Sequence, residues 1–168
     1  MLNAIDPDLL TDLCVEARGS ERRRAHRNLH SSPDDPTQRL LIALQPGTYV
    51  AAHCHPQAGR WELLARLRGA LDCLVFDDVG RVLQRLRLDA DGCVGMEFAP
   101  GTWHSLVCLA EDSVILEVKP GPYVPAHAAE FAPWCPREGT EQAPACADWM
   151  LTARVGEICP FAPISDHP

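Results

Sequence analysis

The stretch that decides the fold runs from residue 38 to residue 69 and reads "QRLLIALQPGTYVAAHCHPQAGRWELLARLRG". Short aliphatic runs alternate in it with turn residues, first at "QPG" (45–47) and again between Pro56 and Gly59. Runs of four to eight such residues, bounded by proline and glycine, are typical of β-strands. The same alternation of aliphatic runs and turn residues continues as far as Lys119, so this stretch begins a β-rich domain.

The spacing of aliphatic runs and turn signals predicts eight short strands with no long helix between them. A parallel sheet would need helical crossovers, and the chain leaves no room for them. We therefore expect a mainly β, antiparallel sandwich or barrel. The predicted strands are 38–44, 48–54, 61–68, 70–76, 81–88, 93–98, 103–109 and 113–119.

Two flanking segments are expected around this domain, giving divisions at 1–37, 38–119 and 120–168. The first should hold a helix over 6–18, because Asp6 can cap it and Pro7 suits its first turn. The last segment is rich in proline, which excludes a central strand. It should pack on the barrel and contain a helix over 145–155 that ends before Gly156.

Composition limits the possible functions. Charged residues make up 23% and hydrophobic residues 46%, as in a folded domain, and the net charge of −8 argues against nucleic-acid or membrane binding. The start has neither a basic region nor an apolar run typical of a signal peptide, so we expect a cytoplasmic protein with reduced cysteines. No CxxC pair occurs. A cysteine trio in the last segment is a candidate for a structural metal or a disulfide: Cys135, Cys146 and Cys159.

The residues that carry chemistry lie on the predicted strands. His53 and His55 are two apart, so they share one strand face roughly 6.5 Å apart, while Cys54 points away. Glu62 follows after a turn, and His104 follows the Pro–Gly turn at 100–101. Three imidazoles and a carboxylate, with coordination positions left open, suit one divalent ion such as Fe, Zn, Ni or Mn. Whether Glu62 is a ligand or a base stays open.

The alternation of side chains between the two faces of each strand also suggests which other residues surround this site. Tyr49 shares the predicted strand face of His53, so it should line the pocket and could act as a base. Arg66 has the parity of Glu62, and an arginine pointing inward would bind a carboxylate or phosphate; a salt-bridged surface position is the alternative. Trp61 and Trp103 have the opposite parity, which is compatible with packing against the tail or in a homodimer.

Further candidates for substrate contacts lie near the expected barrel rim. Val114, Leu116 and Val118 read as the apolar face of the last strand, so Lys119 is expected to face away yet to reach over the rim from the strand end. Tyr123 follows it in the "PGPY" turn. Arg27 and His30 precede the first predicted strand and could approach the same opening.

The order of these motifs resembles that of the cupin superfamily. "GTYVAAHCHPQAGRWELLARLRG" looks like the first cupin motif, with a longer loop before the glutamate, and "GMEFAPGTWH" looks like the second. More closely, the chain is similar to the WbuC-type cupin-fold metalloproteins. The matching segments are "RNLH" (27–30), "QRLLIALQPGTYV" (38–50), "HCHP" (53–56), "WE" (61–62), "RGALDCLVFDDVGRV" (68–82), "PGTWH" (100–104), "EVKPGPY" (117–123) and "FAPWCPREG" (131–139).

The resemblance implies an antiparallel cupin (jelly-roll) barrel that binds a divalent metal at His53, His55, Glu62 and His104. It also implies a link with surface-polysaccharide metabolism, and hence a small sugar-derived ligand. Three functions are compatible with these expectations. The first is a metal-dependent isomerase or epimerase, the second an Fe(II) dioxygenase, and the third a non-enzymatic module that senses a small ligand or a metal.

Overall fold

A computed structural model describes residues 4–161, so the outermost residues of the expected segments, 1–3 and 162–168, lie outside it. Ten strands form two antiparallel five-stranded sheets, in the orders β1-β2-β9-β4-β7 and β10-β3-β8-β5-β6. This is a cupin-like jelly-roll barrel, as expected. The strands are β1 (Arg24–Asn28), β2 (Thr37–Leu44), β3 (His53–Cys54), β4 (Glu62–Arg68), β5 (Leu71–Phe76), β6 (Val82–Leu88), β7 (Gly95–Phe98), β8 (Trp103–Cys108), β9 (Ser113–Pro120) and β10 (Glu130–Phe131).

Two α-helices flank the sheets. Helix α1 spans Pro7–Gly19, and the side chain of Asp6 caps it by accepting a hydrogen bond from the Leu9 amide at 2.9 Å. Helix α2 spans Ala143–Thr152 and ends three residues earlier than predicted. No helix of the described chain is long and apolar enough to cross a membrane.

Both sheets are covered on their outer faces. Helix α1 packs on the first sheet, where Leu13 and Ala17 meet Leu41 and Val114, all fully buried. The segment from β10 to residue 161 packs on the second sheet around Trp134. Strands β2 and β9 therefore carry apolar residues on their outer faces as well as on their inner faces.

Between the sheets, the inward residues differ from one end of the barrel to the other. One end, here called the closed end, is filled by apolar side chains that pack tightly. They are Ile42, Leu44, Leu64, Leu71, Cys73, Leu88, Cys108 and Ile115, and Phe98 joins this cluster from the side of the mouth. The opposite end, here called the mouth, carries polar and titratable side chains on the same strands.

The structure differs from the sequence prediction at three segments. Residues 48–52 were expected in a strand but have irregular backbone, so β3 contains only His53 and Cys54; His53 pairs with β8, and both residues pair with β10. Strand β1 was not predicted, and it pairs with β2 along its whole length. Strand β10 was not predicted either; it adds Phe131 beside His53.

Candidate metal centre

Four side chains converge at the mouth of the barrel: His53, His55, Glu62 and His104. Each offers one ligand atom, and these atoms all lie within 4.8 Å of one another. Glu62 Oε2 lies 3.0 Å from His104 Nε2 and 3.4 Å from His55 Nε2. The structure thus brings together the four residues singled out from the sequence, and they could hold a metal ion.

The strand pairings explain this convergence. His53 pairs directly with His104 across β3 and β8, and Glu62 pairs with Phe98 across β4 and β7. The Phe98 ring then stacks on the His104 imidazole, with 4.1 Å between centroids and 11° between planes. An apolar ring therefore fixes the orientation of one ligand and shields it from water.

The lengthened loop between His55 and Glu62 is held in place at both sides. The Gly101 amide donates to the His55 carbonyl at 2.9 Å, and Arg60 donates to the carbonyls of Pro120 and Pro122 at 2.6 and 3.0 Å. These contacts tie the loop to the β7–β8 turn and to the end of β9. The extra length is consequently compatible with a fixed position of Glu62.

The imidazoles are oriented by main-chain carbonyl groups. His53 Nδ1 donates to the Ala51 carbonyl at 3.0 Å, and His55 Nδ1 donates to that of Ala128 at 2.6 Å. His104 Nδ1 donates to the Thr102 carbonyl at 2.9 Å. Because a carbonyl oxygen only accepts, each of these Nδ1 atoms carries a proton, and Nε2 is the ring nitrogen left to bind a metal ion.

This donor set fits a divalent cation. His55 Nε2 and Glu62 Oε2 are buried and have no hydrogen-bond partner, and both are acceptors. Burial, followed by the neighbouring His104, lowers the pKa of His53 to about 3, so this ring stays neutral. Burial alone would raise the pKa of Glu62, but contacts with His104 and His55 and the charge of Lys119 hold it well below its usual range. Neutral imidazoles and a carboxylate are the ionisation states that metal binding requires.

The cluster faces a cavity of about 250 Å³ between the two sheets. Its walls carry the ligands together with Glu117 and Lys119, which are adjacent inward residues of β9. Lys119 Nζ lies 2.5 Å from Glu117 Oε1 and 3.5 Å from Glu62 Oε1. The expectation that Lys119 faces away from the interior is wrong, because the apolar residues Val114 and Leu116 point outward to α1.

The ionisable groups in this wall shift one another's pKa values. Burial and the nearby Glu62 raise the pKa of Glu117. Burial lowers the pKa of Lys119, yet the carboxylates of Glu117 and Glu62 outweigh this effect and the pKa is raised. The cavity therefore contains an ammonium group between two carboxyl groups.

A second cavity of about 470 Å³ adjoins the first and leads to the surface. Lys119, Glu117 and Tyr123 line both cavities, and Tyr123 is 45% exposed. His30 lines only the outer cavity, where its Nδ1 accepts from the Arg39 amide at 3.0 Å. Tyr123 and His30 thus lie along the approach to the cluster, and a contact of either residue with a substrate stays a prediction.

Three other candidates lie away from the cluster. Tyr49 was expected beside His53, but the irregular backbone at 48–52 breaks the alternation, and its hydroxyl donates to the Pro136 carbonyl at 2.6 Å in the outer core. Arg66 is inward but lies at the closed end, near the Gly69 carbonyl at 3.4 Å. Arg27 points out of β1 to Glu16 on α1. The structure gives none of them a place in the metal cavity.

Sequence reasoning missed two residues of the cavity wall. His26, rather than Arg27, points inward from β1, and burial together with Arg24 lowers its pKa to about 4. Glu117 shares the strand face of Lys119, which was expected to face away from the interior. His26 is two residues from both Arg24 and Asn28, and residues at this spacing share one face of a strand. This spacing indicates an inward position only once β1 is known to be a strand.

Comparisons with known proteins agree with this architecture. A family model described as a domain of unknown function (DUF6016) matches residues 5–88, half of the chain. The chain belongs to this family. No curated protein matches the sequence.

Solved structures resemble the chain in fold. Oxalate oxidase in complex with glycolate is 12% identical, with a TM-score of 0.51 over 68% of this chain and 58% of that one. A protein from Shewanella oneidensis is 11% identical, with a TM-score of 0.52 over 63% and 72%. A cupin 2 conserved barrel domain protein from Rhodopseudomonas palustris is 16% identical, with a TM-score of 0.48 over 64% and 66%. At these identities the likeness concerns the fold alone.

Proposed function

We propose that this DUF6016 protein is a metal-dependent isomerase or epimerase that acts on a small, polar, sugar-derived metabolite. The observation that carries the proposal is that His53, His55, Glu62 and His104 face a cavity whose wall also holds Glu117 and Lys119. The ordered motifs shared with WbuC-type cupin metalloproteins support the sugar-derived class of substrate.

The cavity limits the size of the substrate. Its volume of about 250 Å³ lies just below the range of small-molecule sites, roughly 300–1,000 Å³. Apolar residues such as Leu64 and Leu106 close its inner end and exclude water. The reacting part of the substrate is therefore small and enters past Tyr123.

Each polar residue of the wall has a defined task in this proposal. His53, His55, Glu62 and His104 would hold a divalent ion, which would supply Lewis acidity toward a carbonyl or hydroxyl oxygen. Glu117 takes a proton from the adjacent carbon and returns it, which replaces the role expected for Tyr49. Lys119 donates hydrogen bonds to a second substrate oxygen and keeps Glu117 in position.

Solvent exchange tests the proposal while the substrate is still unidentified. The full chain, purified from its native host and analysed for metal, is incubated in deuterated water with aldose, ketose and sugar-acid panels. Proton NMR should show deuterium at the carbon next to the carbonyl of one substrate class. Glu117→Gln should stop the exchange and retain the metal, whereas His30→Ala in the outer cavity should mainly raise KM.

The result also separates the alternatives. Iron in the purified protein, with oxygen consumption and no deuterium exchange, would show a dioxygenase instead. Metal binding with neither exchange nor oxygen consumption on any panel would overturn the assignment as an enzyme of this substrate class.

A further inference from the structure

The outer cavity, of about 470 Å³, is lined along one side by the inner face of the first sheet. Three neighbouring strands supply this lining: His26 and Asn28 from β1, Gln38 and Leu40 from β2, and Glu117 and Lys119 from β9. Leu40 pairs with Asn28 on one side and with Glu117 on the other, and Gln38 pairs with Lys119. The lining is therefore one continuous surface that runs from the metal cavity to the edge strand β1.

This surface extends well beyond the space beside the metal ligands. Neighbouring strands of a sheet lie about 4.8 Å apart, so the backbone at Asn28 is about 10 Å from β9 and about 14 Å from β4, which carries Glu62. The inner cavity has room for the reacting part of a substrate only. A ligand that contacts both the metal ligands and Asn28 is therefore longer than a single sugar ring.

The outer cavity offers hydrogen-bonding groups that are held in place. Gln38 is 3% exposed, and its Nε2 donates to the carbonyls of Pro33 and Asp35 at 3.1 and 2.8 Å, which leaves its oxygen to accept from a ligand. His30 Nδ1 accepts from a main-chain amide of β2 at 3.0 Å, so the neutral ring carries its proton on Nε2 and donates from there. Asn28 adds an amide group with both donors and an acceptor.

Aromatic and aliphatic surface completes the outer cavity. Tyr123 is 45% exposed and lines both cavities, and its amide donates to the Pro33 carbonyl at 2.7 Å, which ties it to the loop before β2. Pro33 and Leu40 add aliphatic surface. An aromatic ring packs against the C–H face of a sugar, while amide and imidazole groups bind the hydroxyls. The outer cavity contains both kinds of group.

The charges of the outer cavity favour an uncharged ring over a phosphate group. Among the described residues that line this cavity, Lys119 is the one lysine or arginine. Its Nζ lies 2.5 Å from Glu117 Oε1 and 3.5 Å from Glu62 Oε1, so its charge is already paired. A diphosphate is bound by several cationic donors, most often arginine forks. Here it would meet the carboxyl group of Glu117 instead.

We propose that the outer cavity binds a second, uncharged sugar ring, so that the substrate is a reducing disaccharide or the end of a longer sugar chain. This inference rests on the proposed function, because it takes the metal cavity as the place of the reacting ring. Only the reducing-end ring of a sugar chain opens to a free carbonyl, so this ring occupies the metal cavity. The next ring packs on Tyr123 and bonds to Asn28, Gln38 and His30, which thereby select for chain length.

Equilibrium binding tests this inference without turnover. The full chain, as isolated with its metal, is titrated by calorimetry with neutral and N-acetylated reducing disaccharides, with their component monosaccharides and with uridine diphosphate glucose. At least one disaccharide should bind about 10-fold more tightly than either component, because the second ring adds hydrogen bonds and packing. Saturation-transfer NMR should show contact of the protein with both of its rings.

A pair of variants on β1 locates the second ring. Asn28→Ala should weaken binding of that disaccharide by about 3–10-fold, the loss of one or two hydrogen bonds, and leave binding of the monosaccharide unchanged. Arg27→Ala is the matched control, because Arg27 is the next residue on the strand and points away to Glu16 on α1. This variant should bind both sugars as the wild type does.

The outcomes separate this inference from the proposed function. Deuterium exchange on monosaccharides, with no disaccharide bound more tightly than its components, would overturn the second ring and leave the isomerase intact. Tight disaccharide binding that depends on Asn28, without exchange, would support the second ring and overturn the isomerase. Tighter binding of uridine diphosphate glucose than of every disaccharide would overturn the uncharged ring in favour of a diphosphate-linked ligand.

Discussion

At the mouth of the barrel, strands β4, β8 and β9 point Glu62, His104 and Glu117 inward. Two residues closer to the closed end, the same strand faces carry Leu64, Leu106 and Ile115. The strands, their pairing and their direction are the same at both ends. What differs is the position along each strand at which a polar residue replaces an aliphatic one. The closed end stabilises the fold, so the mouth can carry buried titratable groups that are costly to bury. The following predictions test this division, from the largest expected effect to the smallest.

Removing two ligands should abolish metal binding without unfolding the barrel. In His53→Ala with His104→Ala, we expect bound metal to fall to background, a larger effect than the roughly 10–100-fold loss from changing groups that orient ligands. Elemental analysis and circular dichroism measure the two properties. His30→Ala, in the outer cavity, is the control that should keep its metal. An unchanged metal content in the double variant would disprove the location of the site at the mouth.

A mutation that creates a cavity at the closed end should lower stability without affecting metal binding. Leu64 is 2% exposed, so Leu64→Ala should lower the free energy of unfolding by about 2–5 kcal/mol and leave the metal content intact. Urea denaturation gives the first quantity. Leu67 on the same strand is 37% exposed, and Leu67→Ala should change stability by less than about 0.5 kcal/mol. Equal effects of the two variants would contradict the packing described for this end.

The ion pair in the mouth should show coupling between its members. Lys119→Met leaves the Glu117 carboxyl without its cation, and Glu117→Gln removes the charge that Lys119 balances. Because each change removes one partner of a buried charged group, the double variant should be more stable than the sum of the single effects predicts, by about 1–3 kcal/mol. Additive losses in urea denaturation would show that the two side chains act independently.

The smallest effect is expected at the cap of α1, which is remote from both ends. Asp6→Ala removes the acceptor for the Leu9 amide and should cost about 1 kcal/mol of stability. Asp6→Asn retains an acceptor and should cost less. Thermal unfolding compares the two variants, and a loss of metal in either one would show that α1 affects the mouth.

Much of the barrel could be predicted because aliphatic residues and turn signals mark most of its strands. Strand β1, "RAHRN", was missed because it has only one aliphatic residue, and its pairing with β2 is what makes it a strand. The two-residue β10 lies in a proline-rich segment and likewise depends on its partner, β3.

The ligand set was easier to infer than its surroundings. His53 and His104 could be assigned from spacing and turns, because His104 follows a Pro–Gly turn at the start of the regular strand β8 and pairs directly with His53. The orientation of Lys119 could not be assigned from β9, since both faces of that strand are apolar: Val114 packs against α1 and Ile115 packs inside. Alternation of polarity fails wherever a helix covers the outer face of a sheet.

The main-chain carbonyls that hold the three imidazoles have a consequence for reactivity. Carboxylates in these positions would add negative charge around the ion, but carbonyl groups are neutral. A divalent cation there would meet one formal anion, Glu62, and would keep a net charge of one positive unit. Such a centre remains electron-poor, and it would attract an anionic or strongly polar oxygen into its open coordination positions.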